Sequence, residues 1–427
     1  MRVFLKSFGC SANTADGEVL AGCLSQAGFR LVASEAQADL LIYNTCAVKG
    51  PTENRIIDAM KQAPKDKKLI VAGCLPMISF DRLVREVRFD GAVGPSAGKE
   101  IVDIVNRVAA GERMIDLGGL ERKPKLDLPR VKSNPVVSVV PINYGCLGSC
   151  AYCCVVYARG HLRSYSVKEV VDRVRNDVAD GAKEIWLTSQ DTACYGVEQH
   201  SNLAELLLAL DGLAGDFKVR VGMMTPNMVT DMQDRLINAF KSEKVFKFLH
   251  LPVQSGDDKT LGRMRRFYTA AEFRGIVEAF RAQFPDLTLA TDVIVGFPGE
   301  TEDAFERTLA LLEEVKPDVT NVSKFFARPK TAAAQMRMGL VEPDEIKRRS
   351  TVTAELAKRV SLERNKRWVG WTGEVLVDEK GKVMGSWVGR NFAYKPIVVR
   401  AKEKLLGKTI MVKVVEASAT YLKDETA

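Results

Sequence analysis

No run of apolar residues in this 427-residue chain approaches the length needed to span a bilayer, so a membrane partner is not expected. The opening stretch, Met1-Arg-Val-Phe-Leu-Lys-Ser-Phe-Gly9, is too short and too interrupted for an export signal and reads as a strand. There is no tandem repeat of short period and no low-complexity tract, so neither a solenoid nor a disordered scaffold is indicated. A strong charge bias is missing too. Against 54 acidic residues stand 62 basic ones, net +8, an excess that permits a polyanionic partner without demanding one. What is present is a chain with 46% hydrophobic residues, enough for two or three domains with full cores. It carries nine cysteines. Without an export signal these belong in a reducing cytoplasm, where metal ligation or redox chemistry outranks disulfides.

Three of them stand close together. Cys146, Cys150 and Cys153 form a CxxxCxxC run, with the aromatic Tyr152 just before its last cysteine. Three thiolates on one short loop can hold three irons of a cubane cluster and leave the fourth open. Structural zinc normally takes four protein ligands, which argues against zinc here. Cys154 is a poor fourth ligand, because adjacent residues seldom point at one metal.

Around this loop the chain reads as α/β. Residues 1 to about 98 alternate strand and helix: Val3–Phe8, Leu40–Asn44 and Lys68–Ala72 as strands, Asn13–Gly28 and Thr52–Gln62 as helices. Residues 111–134 are polar and proline-containing and read as a linker. From Pro135 the alternation resumes, with strands at Val136–Pro141, Glu184–Thr188, Lys218–Met223, Val245–Leu251, Leu287–Val295 and Thr320–Phe326. Ser166 and Glu169 form a capping box ahead of a valine-rich helix. Six βα units make a barrel or partial barrel, whose chemistry belongs at the C-terminal ends of its strands. A charged helix at Glu342–Arg367 leads to a tail of short valine- and isoleucine-rich runs, the pattern of a small β-barrel.

A second set of three cysteines follows strands. Cys10, Cys46 and Cys74 come after Val3–Phe8, Leu40–Asn44 and Lys68–Ala72. In a parallel sheet, residues beyond strand C-termini meet along one edge, so topology allows the three thiols to converge. Gly9 and Gly73 directly precede two of them and permit close backbone approach. Three small buried residues would explain the same pattern. Cys23 reads as core on the first helix, and Cys194 lies in a loop.

Phe8-Gly-Cys10 with Asn13 and Glu18, Asn44-Thr-Cys46 and Gly73-Cys74 resemble the N-terminal block of the methylthiotransferase branch of radical S-adenosylmethionine (SAM) enzymes. The central block matches through Cys146, Cys150 and Cys153, Arg159-Gly160, Leu251-Pro-Val-Gln254-Ser-Gly256, Asp292 through Glu300, and Arg328-Pro329. The tail is similar to a TRAM domain. Tyr157 through Tyr165 and Glu184 through Thr192 look like the archaeal and eukaryotic group that acts on N6-threonylcarbamoyladenosine beside the tRNA anticodon. Pro329-Lys330-Thr331 departs from the family's usual Pro-Gly-Thr. The resemblance covers nearly the whole chain and implies an N-terminal methylthiotransferase domain over 1–110, a partial (β/α)6 radical SAM barrel over 135–367 and an RNA-binding TRAM barrel over 368–427.

The resemblance also implies roles. One 4Fe-4S cluster on Cys146, Cys150 and Cys153 would bind SAM at its open iron and generate a radical. A second 4Fe-4S cluster, on Cys10, Cys46 and Cys74, would hold the sulfur that is methylated and inserted. Two SAM molecules are then used per product, and an electron donor and a sulfur source are required. Tyr152 would pack over the cluster or the SAM adenine, and Gln190, Thr225, Gln254, Asp292 and Ile294, at or near strand ends, are candidates for holding SAM. His250 reads as a satisfied core histidine. In the tail, Trp371 with Lys382, Arg390, Lys395 and Arg400 would meet the tRNA anticodon stem-loop by stacking and phosphate contact. The same chemistry on isopentenyl-adenosine tRNA or on a ribosomal-protein aspartate is a close alternative. A non-catalytic iron–sulfur RNA-binding protein is a more distant one.

Overall fold

The computed structural model describes residues 1–47 and 50–427, leaving aside the side chain of Pro51. Its first unit is a six-stranded sheet made of β1 (Arg2–Ser7), β2 (Arg30–Leu31), β3 (Leu40–Thr45), β4 (Lys68–Gly73), β5 (Gly91–Val93) and β6 (Met114–Asp116). The order is β2-β1-β3-β4-β5-β6 and every pairing is parallel. Alternate residues of β3 feed two separate cores: Leu41 and Tyr43 one, Leu40 and Ile42 the other. Both faces are thus covered, as an all-parallel sheet requires. β1, β3 and β4 are neighbours, so the residues after them share one edge.

The stretch read as a linker is built into the structure. β6 lies inside it and completes the sheet. Farther along, Ser133 donates to Glu18 through both its amide and its hydroxyl, at 2.9 and 2.7 Å. Arg130 is buried on Asp177 at 2.6 Å. Its polar residues read as solvated in sequence because their partners lie in two other elements.

The central unit contains β7 (Val137–Pro141), a short antiparallel ribbon of β8 (Asn143–Tyr144) and β9 (Arg163–Ser164), then β10 (Glu184–Thr188), β11 (Lys218–Val221), β12 (Phe248–His250), β13 (Thr288–Val295) and β14 (Val319–Lys324). The parallel strands pair as β11-β10-β7 and β12-β13-β14. A single parallel bridge, Val219 to Val245, joins the two halves. Here the expected strand Val245–Leu251 is shortened, because the Lys247 amide turns to the carbonyl of Phe392 in the tail at 2.8 Å. Six parallel strands in chain order, with β7 and β14 unpaired to each other among the described residues, make an open barrel. The capping box forms as read, with Ser166 accepting from the Glu169 amide and Glu169 returning the bond.

A 24-residue helix, Pro343–Lys366, packs on β14 and leads into a closed barrel of β15 (Thr372–Lys380), β16 (Ser386–Arg390), β17 (Pro396–Arg400), β18 (Thr409–Ala417) and β19 (Leu422–Asp424). This barrel docks on the strand N-terminal ends of the central unit. Tyr394 packs on Phe246 and Phe248 with ring centroids 4.8 and 5.2 Å apart, and the Arg220 guanidinium sits over Trp186, Phe248 and Tyr394. No helix among the described residues is long and apolar enough to cross a membrane.

Candidate functional site

The loop of Cys146, Cys150 and Cys153 follows β8 at the C-terminal end of the barrel. Backbone bonds fix it: Ala151 N–H donates to Met264 O at 2.9 Å, and Ala333 N–H donates to Ala151 O at 2.8 Å. Loops after β12 and β14 therefore hold the cysteine loop from both sides. The Gly148 amide donates to Cys146 Sγ at 3.2 Å. A Cβ on Gly148 would lie 3.3 Å from Cys146 Sγ and 3.6 Å from Cys150 Sγ, so this residue lies between the two sulfurs and leaves the space open. The three cysteines are half-buried. Burial pushes the Cys153 thiol up, while a hydrogen bond with Cys194 pulls Cys146 down against the effect of burial.

Arg266 completes this half of the site, and nothing in the sequence singled it out. Its side chain is buried, and Nη1 donates to Cys150 Sγ at 3.3 Å. Tyr268 Oη and Pro252 O accept from the same guanidinium. It reads in sequence as one of three arginines on an exposed turn, Arg263, Arg265 and Arg266. The available signal was its spacing from the buried Leu261, Met264 and Tyr268.

The second set converges. Cys10 caps the helix Ser11–Gln26 after β1, Cys46 directly follows β3, and Cys74 opens the short helix Cys74–Ile78 after β4. A Cβ on Gly9, at φ +146°, would lie 2.6 Å from Cys46 Cβ; one on Gly73, at φ +94°, would lie 2.4 Å from Thr45 O. Only glycine allows either approach. Burial pushes the Cys74 thiol up to about 12; nearby Arg159 opposes this, while Cys46 and Cys10 add to it. Arg159 is itself buried in a pair with Asp16, whose other oxygen lies 2.7 Å from Tyr144 Oη. Under the thiols Asn13 donates to Asn44 Oδ1 at 2.8 Å, and Asn13 Oδ1 is buried without a partner.

The sheet edge sits over the barrel mouth. Ser11 and Thr188, the last residue of β10, are 2.6 Å apart through their hydroxyls. Glu53 pairs with Arg328, both 3% exposed at the side chain. Cys154, adjacent to the cysteine triplet, faces away from it: its thiol donates to Ala47 O at 3.5 Å and packs in the core of the first unit. Its role is to join the two units. Cys194 is fully buried, donates to Asp191 O at 3.0 Å and neighbours Cys146. Cys23 is core.

The strand-end residues divide into two groups. Tyr152 and Ile294 enter one small apolar cluster with Ala151, Met264, Phe297 and Ala333, and Tyr152 meets Phe297 edge-on at 6.4 Å. Gln190 and Gln254 each keep a buried Oε1 without a partner. Gln254 also holds φ +66°, unusual for a residue with a Cβ. The Thr225 amide donates to Asp191 Oδ1 at 3.1 Å. Asp292 faces His250 Nε2 at 3.1 Å and accepts from Asn321 at 2.7 Å.

In the tail, Lys382 and Arg400 are exposed and Trp371 is half-buried, edge-on to Trp368 at 5.6 Å. Two expected phosphate contacts are corrected. Lys395 is buried, with Nζ bonded to Asp318 at 2.7 Å and Asn365 at 2.8 Å. Arg390 is held by Asp378 at 3.0 Å. Both cations are spent on intramolecular partners, Lys395 in the seam to the central unit, where water and RNA are excluded.

Three family models match in order: the Radical SAM superfamily over residues 140–312, Uncharacterized protein family UPF0004 over 2–94, and the TRAM domain over 366–424. A probable threonylcarbamoyladenosine tRNA methylthiotransferase of Pyrococcus horikoshii is 40% identical, covering 100% of this chain and 99% of that protein. One of Methanothermobacter thermautotrophicus is 41% identical over 99% of each. The chain belongs to the threonylcarbamoyladenosine tRNA methylthiotransferase family. A human member is 32% identical over 99% of this chain and 74% of its own length. Among solved structures, the radical S-adenosylmethionine methyltransferase TsrM of Kitasatospora setae superposes with a TM-score of 0.57 at 12% identity, covering 78% of this chain and 73% of that one, which is a likeness of fold.

The residues of this family member fit an iron–sulfur group. Among the described residues no three acidic, imidazole or thiol groups close on a single metal ion. A cluster places each ligand on a different iron and needs its thiolates spread apart, with charge compensation nearby. The gap at Gly148, the guanidinium on Cys150 and the buried Oε1 atoms of Gln190 and Gln254, which have no partner, would give such a group space, charge and polar contacts.

Proposed function

We propose that the chain is a tRNA (N6-threonylcarbamoyladenosine(37)-C2)-methylthiotransferase. It places sulfur and a methyl group on C2 of the modified adenosine, giving 2-methylthio-N6-threonylcarbamoyladenosine in the anticodon loop. The carrying observation is the pair of three-cysteine sets at one domain junction. Cys146, Cys150 and Cys153 would hold one 4Fe-4S cluster and Cys10, Cys46 and Cys74 a second, with two SAM molecules used per product. These groups supply one-electron chemistry at an otherwise unreactive C–H bond, together with the sulfur to be inserted.

The protein positions and shields. Arg266 places a fixed positive charge on Cys150, and Arg159, held in place by Asp16, brings a guanidinium near Cys74 whose effect Asp16 partly offsets. Tyr152 and Ile294 wall the mouth with apolar surface, while Gln190 and Gln254 offer acceptors to a ligand's donor groups. Asp191 fixes the Thr225 backbone, and His250 with Asn321 orients Asp292. An electron donor, a sulfur source and a cytoplasmic location complete the reading.

Anaerobic preparation should yield iron and sulfide for two cubanes and deoxyadenosine on addition of SAM and reductant. Mass spectrometry of tRNA nucleosides from a deletion strain should show loss of the 2-methylthio form. Its persistence, with no paralogue present, would reject this nucleoside as the substrate.

A further inference from the structure

The tail barrel docks at the strand N-terminal ends, the far side of the central unit from both cysteine sets. Its Arg390 and Lys395 are spent on intramolecular pairs. RNA held only there would leave its loop unheld at the mouth, where the barrel presents a second candidate surface.

Phe267 is 72% exposed, an unusual state for a large apolar ring, which gains by leaving water. It follows Arg266, whose guanidinium reaches Cys150, and Arg265, held at φ +55°. Residue 264 is bonded to the cysteine loop, and that loop is bonded to Ala333, so the turn and the segment around residues 330–337 form one wall. Five exposed cations stand on that wall or at its edge: Arg263, Arg265, Lys324, Lys330 and Arg337. Among the described residues, none of the five lies within ion-pair distance of a carboxylate. The helix Pro343–Lys366 shows the opposite: Arg348, Arg359 and Arg364 are paired with Glu302, Glu313 and Asp318. Arg263, Lys330 and Arg337 reach only the backbone carbonyls of Gly299, Met77 and Ala334, which leave their charge uncompensated. Cations without a counter-charge around an exposed ring match a single-stranded nucleic acid, whose phosphates need the charge and whose unpaired bases need a stacking face. A protein partner of ordinary composition would not call for five cations free of carboxylates.

We propose that Phe267 is a stacking platform for an unpaired base of the tRNA anticodon loop, with the five cations meeting the neighbouring phosphates. This deepens the tRNA reading above and rests on it. The ring would hold the loop beside the cysteine sets, while the tail's Lys382 and Arg400 are placed for the stem.

The test is binding of an anticodon stem-loop RNA to the anaerobic, cluster-loaded protein, followed by fluorescence anisotropy, with cluster absorbance and thermal melting as controls for folding. Phe267→Ala should weaken binding about tenfold, the effect of one lost base–aromatic stack, and Phe267→Trp should restore it. A blunt duplex of equal charge should bind both alike. Arg265→Gln should flatten the slope of log affinity against log salt by about 0.7, one single-strand phosphate. Wild-type affinity in Phe267→Ala, or equal loss in Phe267→Trp, would overturn the platform; an unchanged slope would overturn the phosphate contact; a loss confined to a protein captured at the wall would assign Phe267 to that partner instead. A wild-type protein that ignores the stem-loop would overturn the tRNA reading, and this proposal with it.

Discussion

The two cysteine sets reach similar ends by different means. Cys146, Cys150 and Cys153 lie within eight residues on one loop, half-buried, with a guanidinium brought in by Arg266. Cys10, Cys46 and Cys74 are spread over 65 residues and meet because β1, β3 and β4 are adjacent parallel strands. The first is local geometry and can form wherever the loop is tethered. The second exists only when the sheet has folded in register. It is also the tighter of the two: Cys46 and Cys74 are buried, and the glycines beside Cys10 and Cys74 tolerate no Cβ. Cys10 alone of the six is exposed, so the sheet-edge set keeps one open side on a rigid base, whereas the loop set is evenly half-buried.

The largest effect should come from dividing the sets chemically. Cys150→Ala should abolish deoxyadenosine formation and leave one cluster's iron. Cys46→Ala should also leave one cluster's iron, yet retain SAM cleavage and lose methylthiolated product. Iron analysis with product chromatography reads all of these. If both variants lost SAM cleavage equally, the division of labour would be wrong. Next in size is the response to an added methyl group. Gly9→Ala forces a Cβ to 2.6 Å from Cys46 Cβ in a backbone conformation that costs about 1–3 kcal/mol for other residues. It should lose the sheet-edge cluster and keep the other. Gly148→Ala meets two sulfurs at 3.3 and 3.6 Å, a contact a flexible loop can relax, and should retain both clusters with the loop site less fully occupied. The same spectrum of electron paramagnetic resonance signals separates the two outcomes.

Legibility followed the same divide. The loop set lies within eight residues, so spacing alone marked it as a candidate cluster site. The sheet-edge set required correct strand order, which period and turn signals supplied to within one or two residues. What stayed hidden depends on contacts between distant segments. Arg266 reads as surface charge until Met264 is seen bonded to Ala151. Lys395 reads as an exposed cation until Asp318 and Asn365 close over it. β6 reads as linker because three residues carry no period. Sequence pattern reports which face of an element is apolar; it does not report which charged side chain will find a partner across a domain seam.

Arg266 offers a smaller and more selective probe of the comparison. A charged N–H donor to a ligand sulfur favours the reduced, more negative cluster. Arg266→Gln should shift the midpoint potential of the loop cluster downward by about 60 mV, the one-electron equivalent of a tenfold change, and leave the sheet-edge cluster where it was. A potentiometric titration without SAM measures this apart from turnover. Equal shifts in both clusters would mean that the two sites share one electrostatic environment.

The smallest effect lies outside both sets and asks whether the scaffold that joins them is poised. Glu184 opens β10, the strand whose other end places Thr188 against Ser11 beside Cys10. It is fully buried in the seam with the tail, and burial, reinforced by the charge of Asp378, pushes its carboxyl up to about 7. The unfolded chain loses that proton near pH 4.5, its ordinary value, whereas the folded chain keeps it to about 7. Between those values the folded state binds more protons, so stability falls as pH rises across the window and levels off above it. Glu184→Gln removes the ionisation and still accepts the bond from Trp186. Its melting temperature should match the wild type at pH 4.5 and exceed it by a few degrees at pH 8, with the iron content of both sites unchanged. A gain at pH 8 accompanied by altered iron at the sheet-edge set alone would show that the seam reaches Cys10 through β10, tying the set assembled by topology, and not the set on the loop, to the far end of the barrel.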